Sequence, residues 1–220
     1  MKLSIVIPCL NEAETIASCL QALTALRQLG HEVIVVDGGS GDGTPELARP
    51  LCDRLMAAPR GRASQMNAGA SLAIGDALLF LHADTRLPER ADEIVADSLR
   101  ENLWGRFDVE IDSPRPMLKL VSRMMSLRSR LTGIATGDQA IFVRRAAFEG
   151  FPGIALMEAI AFSKAMKRRG RPACAASRVL TSARRWERRG VLRTILLMWQ
   201  LRLMFFLGVH PDELARRYGS

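Results

Sequence analysis

Aromatic residues are scarce in this chain of 220 residues: they make up 5%, with a single tyrosine. Single-stranded nucleic acid is held on aromatic side chains interleaved with basic ones, and no such stretch is present. Cysteine is limited to Cys9, Cys19, Cys52 and Cys174. Their spacing excludes a paired zinc motif and leaves free, buried or half-buried thiols. There is no internal repeat, no low-complexity tract and no long Gly/Ser linker, which leaves one compact domain with ample chain for a core. A spanning helix needs about twenty apolar residues with few charges, and no stretch meets that. Lys2 is followed by too few apolar residues for a signal peptide, so a cytoplasmic location is expected. Neither a Gly-x-Gly-x-x-Gly fingerprint nor a Walker lysine occurs.

What is abundant is positive charge. The formal charge is +8, and most of the excess lies after residue 114. Arg115, Lys119, Arg123, Arg128, Arg130, Arg144, Arg145, Lys164, Lys167, Arg168, Arg169 and Arg171 are spread through that half. Such a surface attracts anionic lipid, a diphosphate or nucleic acid, or is a solvated face. The missing aromatic interleaving argues against nucleic acid.

Three apolar runs end in polar residues. Ser4-Ile5-Val6-Ile7-Pro8 is followed by Asn11, Glu12 and a helical pattern through Ile16, Leu20, Leu23 and Leu26, which is expected to stop at Gly30. Val33-Ile34-Val35-Val36-Asp37 runs into Gly38-Gly39-Ser40-Gly41-Asp42-Gly43-Thr44. Leu78-Leu79-Phe80-Leu81 runs into His82-Ala83-Asp84-Thr85. Continuous apolar runs fit strands of a parallel sheet buried on both faces. Ligands of open α/β sheets collect at the carboxyl ends of such strands. A carboxylate there, Asp84, is placed either to hold a hard divalent cation or to cap a turn. Asp37 is placed to accept hydrogen bonds from a ribose or base. Arg62 offers a planar fork to phosphate oxygens, with Gln65 and Asn67 as nearby amides. Small residues from Ala68 to Ala73 suit a helix packed close to the sheet. Asp108, Glu110 and Asp112 alternate with Val109 and Ile111, so they share one face of a strand, either solvated or an acceptor-side wall. Met117 to Leu131 has the spacing of an amphipathic helix whose methionines serve packing.

The motifs Ile5-Val6-Ile7-Pro8-Cys9-Leu10-Asn11-Glu12, Val35-Val36-Asp37-Gly38-Gly39-Ser40-Gly41-Asp42-Gly43-Thr44 and His82-Ala83-Asp84-Thr85 together resemble family 2 glycosyltransferases. The subgroup resembled is that of short bacterial members sometimes associated with radical SAM proteins. The segments 60–70 and 137–143 fit the same pattern. The resemblance implies a GT-A fold: a Rossmann-like, mostly parallel sheet flanked by helices over 1–190, with a helical extension over 191–220. It implies transfer of a sugar, with inversion, from a UDP- or GDP-type donor to an acceptor hydroxyl. Pro8, Asn11, Glu12, Asp37 and Arg62 would serve the nucleotide. Asp84 would serve it through Mn2+ or Mg2+. Gly137, Asp138 and Gln139 would face the acceptor or the transferred sugar. Arg184, Arg185 and Trp186 would close over the diphosphate. His82 stands at the first position of the usual Asp-x-Asp-type motif, which thins the metal site.

One departure bears on chemistry. Relatives usually carry Glu-Asp where this chain has Glu158-Ala159, and the Asp serves as general base. Glu158 or Asp138 must substitute, or the chain is a catalytically impaired nucleotide-sugar or glycan binder. A nucleotidyltransferase is the third reading, disfavoured because Pro8-Cys9-Leu10-Asn11-Glu12 replaces that class's lysine-containing loop. The segment Val191–Val209 is largely apolar but interrupted by Arg193, Gln200 and Arg202. It suits a helix lying on the inner face of the membrane, on a second subunit, or in the core.

Overall fold

The computed structural model describes residues 1–219. The chain runs β1 (Leu3–Cys9), α1 (Ile16–Ala22), α2 (Thr24–Gln28), β2 (Glu32–Asp37), α3 (Thr44–Ala48), β3 (Arg54–Ala57), α4 (Arg62–Leu72), β4 (Ala77–Phe80) and β5 (Thr85–Arg86). It continues α5 (Ala91–Glu101), β6 (Trp104–Asp112), α6 (Pro116–Thr132), β7 (Phe142–Arg144), α7 (Glu158–Arg169), β8 (Ala173–Ser182), α8 (Arg184–Arg189), α9 (Val191–Phe206) and α10 (Pro211–Gly219). Among the described residues the strands form one sheet in the order β3-β2-β1-β4-β7-β6-β8-β5.

The β3-β2-β1-β4 half is parallel throughout. The other half is mixed: β7 pairs antiparallel with both β4 and β6, whereas β6 and β8 run parallel. The continuous apolar runs follow from burial on both sheet faces. Leu3, Ile5, Ile7, Val33, Val35 and Leu79 join one core with Ile16, Leu20, Val95 and Leu99 from α1 and α5. Val6, Ile34, Val36, Leu78 and Phe80 join the other with Ala63 and Met66 of α4 and Phe162 and Met166 of α7.

Pro8 lies inside β1, although the sheet interior ordinarily excludes proline. Its β4 neighbour ends opposite Val6, so no ladder bond is missed there. The helix expected to run to Gly30 breaks at Leu23, whose N–H bonds Leu20 in a tightened turn. The strand expected over 140–143 starts later, at Phe142. Ala140 is left-handed (φ +43°) and closes the short 3₁₀ turn Gly137–Gln139.

Helix α4 lies close on β1 and β2, as its small residues predict. A Cβ on Gly69 would come within 2.4 Å of a Val6 methyl carbon and 2.9 Å of a Val36 methyl carbon. Overpacking of this kind costs about 1–3 kcal/mol. Gly69→Ala is therefore expected to lower the urea midpoint without changing the m-value, whereas an unchanged midpoint would show that α4 moves freely over the sheet.

Candidate active site

The carboxyl ends of β1 and β4, the start of α4, the 137–138 turn, the start of α7 and the C-terminal helices surround a cavity of about 850 Å³. Pro8, Glu12, Arg62, Asp84, Gly137, Asp138, Glu158, Arg185 and Trp186 line it. These come from separate elements, and the fold brings them together.

Arg62 is the first residue of α4. Burial works against its charge, yet the nearby carboxylates of Glu158, Asp138 and Asp84 win, together with Tyr218, and raise its affinity for the proton. It is a fixed cation amid carboxylates. Asp84 makes one long hydrogen bond, from the Thr85 hydroxyl at 3.3 Å. That leaves most of its acceptor capacity for a ligand.

Asp138 faces His82, with Nδ1 to Oδ1 at 3.3 Å. Its side chain keeps 36% exposure, and since Asp138 lines the cavity, that exposure opens there. Burial pushes its carboxyl up, but the His82 hydrogen bond and charge, with Arg185 and Arg62, hold it well below the usual carboxylate range. Such a group is a poor proton acceptor near neutral pH. Gly137 is required by the same contact, because a Cβ there would sit 2.7 Å from His82 Nε2.

Glu158 opens α7 behind Met157, which is left-handed at φ +72°. A non-glycine residue in that region is strained, and such strain gathers at functional sites. Glu158 is only 5% exposed. Among the described residues no donor hydrogen-bonds its carboxylate, and its cationic neighbour is Arg62. Ala159 also borders the cavity but packs in the apolar cluster of Phe162 and Ala135.

Other expected site residues are placed differently. Asp37 does not line the cavity. Its carboxylate accepts from the N–H groups of Gly39 and Ser40 at 2.9 Å each, from the Ser40 hydroxyl and from the Cys9 thiol. It shapes the glycine-rich loop; those bonds outweigh burial and keep it ionised. Asn11 is exposed, left-handed at φ +54°, and accepts from Gly41 N–H at 3.0 Å. Arg184 is outside the cavity lining and pairs with Glu12 at 2.9 Å and Glu14 at 3.0 Å. Gln139 is fully buried, and its side-chain oxygen accepts from Thr136 N–H. Gln65 donates to the carbonyls of Cys9 and Val36, tying the ends of β1 and β2. Asp108 pairs with Arg106 and Arg130, and Glu110 with Arg178; none of the three acidic residues lines the cavity, whereas Ile111 of the opposite strand face does. Burial, with Asp37 adding to it, pushes the Cys9 thiol up to about 12, and burial does the same for Cys19, so both are inert thiols.

The site also includes residues that were not anticipated. Met117, Leu120 and Met124 of α6 line it with Arg128; of the methionines expected to serve packing, Met125 packs against the core, whereas Met117 and Met124 are exposed. Trp199 and Arg202 of α9 and Tyr218 of α10 line it as well. The regular apolar spacing of α6 was the available signal, but spacing alone does not say which side of a helix is covered.

The fitness of this site for a divalent cation rests on Asp84. Among the described residues no group of three His, Cys, Asp or Glu side chains is arranged to hold a metal. A hard cation bound by one carboxylate, with its other positions filled by diphosphate oxygens and water, fits this donor set; a closed protein cage does not.

The family model of glycosyl transferase family 2 matches residues 4–151. The chain belongs to that family. A glycosyltransferase of PGL/p-HBAD biosynthesis from Mycobacterium bovis is 39% identical over 93 residues, 39% of this chain and 36% of the relative. Glycosyltransferase AglE of Haloferax volcanii is 39% identical over 90 residues, 37% of this chain and 30% of the relative. The family 2 chain described here thus spans about a third of the curated relatives it matches. Among solved structures, mannosyltransferase PcManGT of Pyrobaculum calidifontis, in complex with GDP-Man and Mn2+, superposes with a TM-score of 0.65 at 20% identity, covering 91% of this chain and 60% of that one. Staphylococcus aureus TarS with UDP-GlcNAc gives 0.62 at 20% identity, covering 83% and 58%. Glucosyl-3-phosphoglycerate synthase of Mycobacterium tuberculosis with Mg2+ and UDP gives 0.60 at 20% identity, covering 82% and 70%. The fold is GT-A.

Asp138 contributes stability that is present above its unfolded value of about 3.9 and is lost as pH falls through its depressed folded value. His82→Ala is expected to move the Asp138 carboxyl titration, followed by carbon-13 NMR, upward toward that unfolded value. An unmoved titration would show that Arg185 and Arg62 alone hold it.

Proposed function

We propose that this protein transfers a sugar, with inversion, from a nucleotide-diphosphate donor to an acceptor hydroxyl, with Glu158 as general base. The observation that carries the reading is the Glu158 carboxylate, buried and unpartnered by hydrogen bonds, on the same cavity as Arg62 and Asp84. A hydroxyl proton must leave as the anomeric carbon is attacked, and a positioned carboxylate takes it. Asp138 is the weaker candidate because its charge is already committed to His82.

The donor is of the UDP or GDP type, as bound by TarS (UDP-GlcNAc) and PcManGT (GDP-Man). Pro8 and Glu12 border its nucleoside end. Asp37 and Asn11 support that end by fixing the loop after β2. Arg62 and Arg185 face the diphosphate, and Trp186 lies beside them. Arg184 anchors the basic segment to Glu12 and Glu14. Asp84 would hold Mn2+ or Mg2+, which offsets charge on the departing diphosphate when bound. Gly137 and Gln139 set the turn that presents Asp138 to the sugar. No helix among the described residues is long and apolar enough to cross a membrane.

The second reading, a binder without turnover, is motivated by Ala159. Two variants separate them. Asp84→Ala is expected to weaken UDP or GDP binding in Mn2+ by calorimetry. Glu158→Gln is expected to leave that affinity intact and lower the transfer rate about 10²–10⁴-fold, the usual contribution of a positioned base. A Glu158→Gln enzyme as fast as its parent, or a parent with no turnover that Ala159→Asp restores, contradicts Glu158 as the base.

A further inference from the structure

Two helices border the cavity with apolar residues that nothing in the molecule covers. On α6, Leu120 is 58% and Met124 56% exposed; on α9, Leu196 is 69% and Trp199 72% exposed. The exposed positions Met117, Leu120, Met124, Leu127 and Leu131 recur at three- and four-residue steps, so they form one stripe along α6. Leu192, Leu196, Trp199, Leu203 and Phe206 do the same along α9. Both stripes run into the cavity, which Met117, Leu120, Met124, Leu192 and Trp199 line.

Between the stripes lie two guanidinium groups. Arg128 of α6 and Arg202 of α9 both line the cavity. Nε and Nη2 of Arg128 and Nε of Arg202 are shielded from water and have no hydrogen-bond partner. Burial and the repulsion of Arg202 and Arg106 lower the Arg128 proton affinity to about 10, and burial lowers that of Arg202 against a pull from Asp138. A buried donor without an acceptor costs about 1–3 kcal/mol, and more when charged. Two such groups of like sign beside one another describe a site that lacks its anion. Arg62, by contrast, already has Glu158, Asp138 and Asp84 around it.

Resting on the transferase reading, the geometry points to an acceptor that is an anionic phospholipid with a free hydroxyl in its head group: its phosphodiester sits on Arg128 and Arg202, and its tails lie along the stripes of α6 and α9. The hydroxyl is then carried into the part of the cavity that holds Glu158. The flanking charge agrees: Lys119 and Arg123 on α6 and Arg193 on α9 are exposed, and none forms an ion pair among the described residues. They suit an anionic bilayer surface. A second copy on this face would oppose the same cations to one another, which disfavours self-association as the cover.

The test uses dioctanoyl phosphatidylglycerol as a dispersed monomer, with dioctanoyl phosphatidylcholine and glycerol phosphate as controls, titrated into the full chain by calorimetry. UDP with Mn2+ is titrated into the same protein. Phosphatidylglycerol is expected to bind about tenfold or more tighter than either control, the factor that about 1.4 kcal/mol supplies. Arg128→Gln with Arg202→Gln is expected to abolish the preference over phosphatidylcholine, to keep UDP binding, and to melt no lower than the parent. Equal binding of the two lipids would overturn the anion site, a comparison that needs only the parent protein. Glycerol phosphate binding as well as the lipid would overturn the role of the stripes. Loss of UDP binding in the double variant, with the lipid preference intact, would assign the arginines to the donor. A parent that binds the lipid selectively but no nucleotide would leave the phospholipid site standing and overturn the transferase reading, and with it the lipid's role as acceptor.

Discussion

A half-buried cation organises the site. Arg62 starts a helix pressed against the sheet, and Glu158, Asp138 and Asp84 reach toward it from the start of α7, a 3₁₀ turn and the end of β4. Burial alone would push the Asp138 carboxyl up, but His82, Arg185 and Arg62 hold it well below the usual carboxylate range. The close packing of α4 through Gly69 places that cation, and Gln65 on the same helix joins the ends of β1 and β2.

The three carboxylates divide by their partners. Asp138 is committed to His82 and held strongly acidic. Asp84 has most of its oxygens free, as a ligand to a substrate-borne cation requires. Glu158 is buried, and among the described residues no donor hydrogen-bonds its carboxylate. Identical side-chain chemistry thus meets three different environments. The left-handed Met157 before Glu158 and the glycine at 137 against His82 are where backbone and packing are spent to fix those environments.

Much of this was legible in the chain. The runs ending at Pro8, Asp37 and Leu81 read correctly as strands buried on both faces, because each supplies side chains to both cores. Asp84, Arg62, Asp138 and Glu158 were named from strand ends, glycine-flexed turns and resemblance, and the fold brings all four to one cavity. The carboxylate of Asp37 was less legible: a polar residue at a strand end looks the same whether it faces a ligand or its own loop, and here three hydrogen bonds hold it to the loop and a fourth to the Cys9 thiol of β1. The stripes of α6 and α9 were misplaced or left open for a related reason. Helical periodicity shows that an apolar face exists, and only tertiary structure shows whether anything covers it. The unpartnered Arg128 and Arg202 were invisible among so many basic residues, since isolation from acceptors is a property of three dimensions.

The most direct test of this arrangement is a crystal structure of the chain with UDP and Mn2+. The account predicts the diphosphate between Asp84 and Arg62, with the ion on Asp84 and the Glu158 carboxylate facing the open acceptor side. A diphosphate seated instead on Arg128 and Arg202, with Asp84 bare, would contradict it.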